Sequence, residues 1–245
     1  MRLRFNTTLA GRTAGVRHVV GLLALVMCLV PVPGDRTRAS VPVDLTLVLA
    51  IDCSYSVDSR EFALQIEGMT RAFRDPEVIK AIAEGPLGRI AVSVVQWSDA
   101  SHQRVAVPWT VIIGEGDAHG LAERLATLPR LLADGGTSIT AMIRFGAKLL
   151  NDSPVAGQRQ VIDIAADGRN NNGGYPKPVR DDVAEQGITI NGLAILNEVP
   201  TLGWYFEQNV IVGPGSSVVV ANDYAAYADA IKRKLLREII GSTLS

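Results

Sequence analysis

The feature that most constrains this chain is a short apolar run that ends in an acid and two hydroxyls. Leu45 to Ile51 is almost continuously apolar and too short for a typical helix, which indicates a buried strand of a parallel sheet. Asp52-Cys53-Ser54-Tyr55-Ser56 follows directly. The carboxyl ends of strands in open α/β sheets are where loops converge and ligands bind. Three small oxygen-bearing side chains there predict a site for a hard cation such as Mg²⁺, although Ser and Asp also occur in such turns simply as helix caps.

Two later stretches carry ligand-type residues at comparable places. Gly135-Gly136-Thr137 forms a glycine-rich turn ahead of a helical pattern that starts at Ser138. Asp167-Gly168 closes a second buried strand, Gln160 to Ala166. An acid with two serines after one strand, a threonine before a middle helix and an acid after the next strand together resemble the metal-ion-dependent adhesion site (MIDAS) of von Willebrand factor A domains.

This resemblance implies a role for each of five residues. The family's two loop serines and its threonine bind the cation, and its aspartates act largely through bound waters; the matching residues here are Ser54, Ser56 and Thr137, with Asp52 and Asp167. The resemblance also implies Mg²⁺ or Mn²⁺ as the ion and an acidic side chain of a partner protein as the ligand that completes its coordination. It implies no catalytic residue, so we expect a protein that is not an enzyme.

The order of elements predicts the fold class. Strands alternate with helices from Asp44 to Ile240, which predicts an α/β fold with a three-layer, doubly wound, mostly parallel sheet. Gln103 to Val107 alternates and precedes Pro108-Trp109, which indicates one antiparallel edge strand beside the strand Arg89 to Trp97. Both features agree with the von Willebrand factor A-like, Rossmann-like fold that the resemblance implies.

Three segments point to a narrower family. The second buried strand through Asp167-Gly168, the strand Gly187 to Leu193 and the turn Gly213-Pro214-Gly215 look like a family of exported bacterial proteins, the domain of unknown function 1194. That likeness implies a fold and a site, and it implies no substrate.

The opening 40 residues have the charge and order of a secretory signal peptide. Four arginines precede any acid, Val19 to Val30 is uncharged and apolar, and Pro31-Val32-Pro33-Gly34 breaks this run. The apolar core of 12 residues is shorter than the roughly 20 needed to span a bilayer. We therefore expect residues 41–245 to form one von Willebrand factor A-like domain in the periplasm or outside the cell. The alternative is that residues 1–40 stay as an uncleaved anchor, and only then do we expect contact with a membrane.

Charge argues against a nucleic-acid partner. Six of the 24 basic residues and one of the 25 acidic residues lie in residues 1–40, so the remainder carries a net charge of -6. Phosphate binding requires clustered Lys and Arg. The one tight basic run, Lys232-Arg233-Lys234, falls late in a helix, and we interpret it as a set of cations that complement the helix dipole.

Two buried positions raise separate questions. Cys53 is the sole cysteine after residue 40, so this part of the sequence depends on its core and not on a disulfide. A reactive pair with His102 or His119 is one interpretation of Cys53; a small apolar residue at a strand end is the preferred one, because neither histidine lies in a recognisable catalytic motif. Asp163 lies inside the second buried strand, where a carboxyl group requires a partner that the sequence does not identify.

Three further segments lie near strand ends. We interpret Ser98-Asp99 as a turn and not as a fourth acidic ligand. Gly168 to Gly174 is a rim loop that either contacts a partner or is a solvated turn. Trp204-Tyr205-Phe206 is either buried under the sheet edge, which we prefer, or a binding patch.

These features predict an exported, metal-dependent protein-binding module of the adhesion type. Two Asp charges balance one Mg²⁺, and three hydroxyls with two waters leave one of six octahedral positions open for a partner's carboxylate. The first alternative is a Mg²⁺-dependent phosphoryl-transfer hydrolase with Asp52 as the nucleophile, although haloacid dehalogenase-like phosphatases need a second acid where this chain has Ser54. The second alternative is a structural domain with a vestigial metal site.

Overall fold

The computed structural model describes residues 41–133 and 135–241, which form a six-stranded sheet covered on both faces. Across the sheet the strand order is β3-β2-β1-β4-β5-β6, and every neighbouring pair is parallel except β2 with β3. The predicted mostly parallel sheet with one antiparallel edge strand is therefore confirmed. The predicted signal peptide lies outside the described residues. In chain order the strands are β1 (Val41–Asp52), β2 (Ile90–Trp97), β3 (Gln103–Ile112), β4 (Val155–Ala166), β5 (Ile188–Ile195) and β6 (Val218–Ala221).

Seven helices in the described residues form the two outer layers. One face of the sheet is covered by α1, α2, α3 and α7, and the other by α4, α5 and α6. None of them combines the length and the hydropathy that crossing a bilayer requires. The helices are α1 (Ser59–Arg74), α2 (Pro76–Ala83), α3 (Glu115–Ala126), α4 (Ile139–Asn151), α5 (Pro176–Ala184), α6 (Leu202–Asn209) and α7 (Tyr227–Ile240).

Burial on both faces of the sheet explains why the central strand β1 is so apolar. Leu47 and Leu49 point into the core beneath α1 and α7, while Val48 and Ala50 point into the core beneath α4. Because both faces of the sheet are covered, the side chains on either face of β1 lose their contact with water. A fully buried Leu or Val contributes about 1.5–3 kcal/mol to the stability of the fold. The strand is thereby fixed in register, and the residue that ends it is fixed in position.

Helix α1 starts immediately after the loop that follows β1. Asp58 Oδ1 accepts hydrogen bonds from the backbone N–H groups of Arg60 and Glu61, and Glu61 Oε2 accepts one from the backbone N–H of Asp58. These reciprocal hydrogen bonds form a capping box. Gly68 lets this helix approach α7, since a Cβ there would lie 2.7 Å from Cδ1 of Tyr227.

The main differences from the sequence prediction lie at element ends. Strand β4 begins at Val155 instead of Gln160. Strand β3 continues past Pro108-Trp109 to Ile112, because the register shifts opposite Val92 to Val95 place these two residues in a bulge where no regular ladder bond is needed.

The site lies where the chain changes direction across the sheet. Strands β1 and β4 are adjacent, and the chain leaves β1 toward the α1 face but leaves β4 toward the α5 face. Such a switch point opens a crevice at the carboxyl ends of the two strands. Asp52 ends β1, and Asp167 follows β4 directly.

Candidate metal centre

Asp52 is a fully buried carboxyl group with one oxygen in use. Its Oδ1 accepts a hydrogen bond of 2.7 Å from the backbone N–H of Ser54, while its Oδ2 is buried and accepts none from the described residues. Burial is the main cause that raises the pKa of Asp52 to about 7, and the charge of Asp167 adds to it. An ionised Asp52 therefore lacks part of the compensation that a buried charge needs.

Asp167 is buried beside Asp52 and is held by two hydroxyl donors. Ser56 Oγ donates to Asp167 Oδ1 at 2.6 Å, and the Tyr224 hydroxyl donates to Asp167 Oδ2 at 3.1 Å. Burial raises the pKa of Asp167, and the two hydroxyls oppose that rise. Burial and the Asp167 charge also raise the pKa of Tyr224, so this phenol remains a donor at neutral pH.

The two serines of the loop after β1 lie together. Ser54 Oγ and Ser56 Oγ are 3.2 Å apart, so one cation could contact both oxygens. Ser54 is buried and Ser56 is partly exposed, while Tyr55 between them is 79% exposed. The loop therefore turns its hydroxyls inward and leaves its aromatic ring at the surface.

Thr137 reaches the same place from the turn before α4. A Cβ built on Gly168 would lie 3.4 Å from Thr137 Oγ1 and 4.0 Å from Ser56 Oγ, so both hydroxyls face one point near Gly168. The backbone N–H of Tyr55 also donates to the carbonyl of Gly135 at 2.9 Å, which ties the two turns together. The structure thus brings all five sequence-predicted residues to one rim; we call Asp52, Ser54, Ser56, Thr137 and Asp167 the rim cluster.

The glycines of this turn serve close packing. Neither Gly135 nor Gly136 has a positive φ. A Cβ on Gly135 would lie 3.0 Å from Asp99 Oδ2, and one on Gly136 would lie 2.9 Å from Asn171 Oδ1. The predicted tight turn is therefore explained by lack of space and not by a left-handed backbone.

The asparagine-rich loop after β4 supports the threonine. Asn171 Oδ1 accepts a hydrogen bond from the backbone N–H of Thr137 at 2.9 Å, and Asn170 Oδ1 accepts one from the backbone N–H of Thr140 at 3.0 Å. This loop orders the start of α4, a role that the two sequence interpretations did not include.

The structure confirms the sequence interpretation of one neighbouring segment, Ser98-Asp99, and contradicts part of that of the aromatic segment. Asp99 Oδ1 accepts a hydrogen bond of 2.8 Å from the backbone N–H of Ser101 and lies 2.8 Å from His102 Nδ1, so the predicted turn is confirmed. In the aromatic segment, Phe206 is fully buried, while Trp204 is 63% exposed, so the preferred burial is wrong for Trp204.

Sequence reasoning missed two residues that position the rim cluster. The Arg130 guanidinium donates to the carbonyls of Val57 at 2.7 Å and Cys53 at 2.9 Å, which fixes the loop after β1. Tyr224 is the second, through its bond to Asp167. Arg130 had no signal in its neighbours along the chain. Tyr224 had a weak one, because it follows the carboxyl end of β6, on the same edge of the sheet.

The donor set of the rim cluster fits a hard divalent cation. The cluster offers three hydroxyl oxygens and two carboxylates, which are the oxygen ligands that Mg²⁺ and Mn²⁺ accept. No Lys, Arg or His of the described residues forms a salt bridge with Asp52 or Asp167, and Asp52 Oδ2 lacks a donor there. Among the same residues no group of three or more His, Cys, Asp or Glu side chains comes together, so a cation at this rim would depend on the hydroxyls.

Solved structures with the same fold identify the class. Over 82% of this chain, proximal thread matrix protein 1 from the mussel byssus, with a zinc-occupied MIDAS motif, is similar at 14% identity and a TM-score of 0.63, across 49% of its own length. A von Willebrand factor type A protein from Catenulispora acidiphila matches 81% of this chain and 43% of its own at 16% identity and a TM-score of 0.51. The pilus adhesin SpaC from Lactobacillus rhamnosus GG matches 82% of this chain and 31% of its own at 16% identity and a TM-score of 0.55. The fold is that of von Willebrand factor A domains.

The family follows from the sequence itself. A family model matches residues 42–243, and the chain belongs to that family, which is described as a protein of unknown function (DUF1194). No curated protein matches the sequence. The chain spans less than half of each of the three similar structures, so their identities below 25% and their partial coverage support the fold alone.

Proposed function

We propose that this protein is an exported module of the von Willebrand factor A type that binds a partner protein through a divalent cation held by the rim cluster. The observation that carries the proposal is Asp52 Oδ2, a buried carboxylate oxygen with no hydrogen-bond donor among the described residues. A cation supplies the counter-charge that this oxygen and Asp167 lack. Two aspartates balance the charge of one Mg²⁺ or Mn²⁺.

The residues of the rim cluster have different proposed roles, which follow from their chemistry. The hydroxyls of Ser54, Ser56 and Thr137 are neutral ligands, so they leave the ion electrophilic. Asp52 and Asp167 would neutralise its charge through bound waters, and Tyr224 and Arg130 hold the supporting groups in place. The bound ion supplies attraction for a carboxylate of the partner, which is a charge-assisted contact. No side chain of the cluster is assigned a catalytic role.

Support for a protein partner comes from the similar structures as well. The names of two of them describe a pilus adhesin and a matrix protein with a zinc-occupied MIDAS motif. Those descriptions belong to those proteins. For this chain they favour adhesion over hydrolysis, and the ion is proposed to be Mg²⁺ or Mn²⁺.

Metal binding is the first test. We expect wild-type protein to bind one Mn²⁺ per chain in a calorimetric titration, and Asp52→Asn and Ser56→Ala to weaken binding at least tenfold. Asp99→Asn is the matched control, because it removes an acid from the same edge of the sheet outside the cluster. Equal titrations for wild type and Asp52→Asn would overturn the metal site.

Partner binding is the second test. Protein immobilised with Mg²⁺ is expected to retain a partner from the envelope of the exporting cell and to release it with EDTA. Asp52→Asn is expected to capture nothing in either buffer. A generic phosphoesterase assay separates this function from the hydrolase alternative: turnover that depends on Asp52 would contradict the proposal.

Export is part of the same proposal. We propose that residues 1–40 are removed and that residues 41–245 form the working domain outside the cytoplasm. The mass of protein recovered from the periplasm or the medium of its own host tests this. Recovery of the intact 245-residue chain in the membrane fraction would instead support the anchor.

A further inference from the structure

A second cluster of ionisable groups lies deep in the domain, between β4 and α7. Asp163, Lys234 and Glu238 are each 3% exposed or less, and we call them the inner triad. Lys234 Nζ lies 3.0 Å from Asp163 Oδ1 and 2.7 Å from Glu238 Oε1. Asn191 on β5 donates to the same Glu238 oxygen at 3.1 Å. The function proposed above uses none of these groups.

The contacts within the inner triad are unequal. The lysine donates a hydrogen bond to Glu238 Oε1, but its close approach to Asp163 is not aligned as a hydrogen bond. Neither oxygen of Asp163 accepts a hydrogen bond from the described residues, and neither does Glu238 Oε2. The Lys234 amine therefore lies 3.0 Å from an oxygen of the Asp163 carboxyl group, and Glu238 is the acid beside both.

Burial of three ionisable groups in the apolar interior favours any reaction that removes their charges. With all three groups ionised, the inner triad carries a net charge of -1 in a space without water contact. Burial is the largest cause that raises the pKa of Asp163, and the charge of Glu238 adds to it, so the neutral acid is favoured at this position. Charged buried groups carry a high desolvation cost, which an amide does not have.

We propose that Lys234 and Asp163 condense into an intramolecular amide that ties α7 to β4, with Glu238 as the proton carrier. The carboxylate of Glu238 first takes a proton from the ammonium of Lys234. The free amine then attacks Cγ of Asp163, the new N–C bond forms, and the bond from Cγ to the hydroxyl oxygen breaks. The nitrogen's surplus proton goes to the leaving oxygen through Glu238. One ammonium, one carboxylic acid and one carboxylate become one amide, one water and one protonated Glu238, and no oxidant or cofactor is required.

The fold holds the reacting side chains together, which accelerates a condensation that is slow between free groups in water. Lys234 Nζ is held 3.0 Å from Oδ1 of the carboxyl group whose Cγ it would attack, which gives the two groups a large effective concentration, and a positioned acid assists proton transfer. The exposed pair of Lys148 and Asp152 gives the internal comparison, because these side chains also touch but are open to solvent. We expect no amide there, since both side chains stay solvated and no second acid of the described residues forms a salt bridge with that lysine.

A peptide map of the full-length wild-type protein decides the proposal. After denaturation and digestion, we expect one branched peptide that joins the segments around Asp163 and Lys234 and is one water lighter than their sum. Trypsin cannot cut at an acylated lysine, so Lys234 should stay joined to Leu235 in the branched peptide, and the free peptide that begins at Leu235 and ends at Arg237 should be absent. Linear peptides ending at Lys148 serve as the control. If the map shows only linear peptides with cleavage at Lys234, the inference is wrong, whatever becomes of the metal site.

Two variants assign the roles. Glu238→Gln removes the proton carrier at nearly constant size, and we expect at least a tenfold loss of the branched peptide. Asp163→Asn offers an amide that releases ammonia in place of water, so its branched peptide should have the same mass as that of the wild type. A full yield of branched peptide in Glu238→Gln would remove Glu238 from the mechanism, and circular dichroism confirms that each variant is folded.

Discussion

Two pairs of buried acids lie at different depths of the same sheet. Asp52 and Asp167 belong to the rim cluster at the carboxyl ends of β1 and β4, while Asp163 and Glu238 belong to the inner triad beneath α7. The inner acids have Lys234 within 3.0 Å. The rim acids form no salt bridge with any described residue; Asp167 accepts hydrogen bonds from two hydroxyls, and Asp52 accepts one from a backbone N–H.

The two clusters differ in the origin of the group that pairs with their acids: it is a side chain of the protein in the inner triad and a proposed cation from solution in the rim cluster. Lys234 comes from the chain itself, so folding delivers the partner of the inner acids to a place that solvent does not reach. The rim cluster has partly exposed Ser56 at its edge, so a cation can arrive from solution after folding. A buried charge without a partner costs several kcal/mol. Removal of the inner lysine is therefore expected to destabilise the fold, whereas removal of a rim acid in the absence of metal is expected to stabilise it.

The largest effect is expected from the loss of the inner lysine. Lys234→Met removes the contacts of this lysine with Asp163 and Glu238, together with the amide proposed above, and leaves two buried acids without their partner, so we expect the free energy of unfolding to fall by about 3–5 kcal/mol. Urea denaturation with EDTA present measures it. Lys148→Met is the matched control, because that lysine pairs with Asp152 at the surface, and its change should stay within about 0.5 kcal/mol. A similarly small change for Lys234→Met would show that the inner triad does not need its lysine.

The next effect is the response to added metal. At a Mg²⁺ concentration about 100 times the dissociation constant, we expect the free energy of unfolding to rise by about 2.7 kcal/mol, because the ion binds the folded state alone. The rise should disappear in Asp167→Asn and persist in Asp99→Asn. Differential scanning calorimetry with Mg²⁺ and with EDTA measures both. An equal rise in Asp167→Asn would place the ion elsewhere and end the contrast between the two clusters.

Without metal, removal of a rim acid is expected to stabilise the fold. Burial and the charge of Asp167 both disfavour ionised Asp52, so Asp52→Asn should raise the free energy of unfolding in EDTA by about 1 kcal/mol at pH 7. The asparagine keeps an oxygen for the backbone N–H of Ser54. Urea denaturation at constant ionic strength tests the sign. A loss of stability in EDTA would mean that the carboxylate is already compensated within the chain.

The sequence was sufficient for the rim cluster because its members directly follow the elements that place them. Once Leu45 to Ile51 was recognised as a buried strand, the position of Asp52 followed, and the same argument applied to Asp167. Arg130 and Tyr224 were missed because they meet the cluster through contacts 57 to 77 residues away along the chain. Such contacts have no local periodicity from which they could be predicted.

The inner triad shows where the reasoning failed. The sequence identified Asp163 as needing a partner, but Lys234 was interpreted as a cation complementing the dipole of its helix, and that interpretation is wrong, since the side chain is buried against Asp163. The signal was present in the spacing. Lys234 and Glu238 follow Tyr227 and Ile231 at intervals of three and four residues, on the inward stripe of α7. A polar residue on such a stripe points to a buried partner.

The smallest effect concerns an acid that is close to the rim but satisfied by its own turn. Hydrogen bonds from the backbone of Ser101 and from His102 lower the pKa of Asp99, so its ionised form stabilises the folded state. That contribution is present above the unfolded-state pKa of about 4 and is lost as the pH falls below it. Asp99→Asn should therefore lower the free energy of unfolding at pH 7 by less than about 1 kcal/mol, a sign opposite to that of Asp52→Asn, and the difference should vanish in acid. Denaturation curves for both variants at pH 7 and pH 3 test this, and equal signs at pH 7 would mean that burial does not set the contrast between the two carboxyl groups.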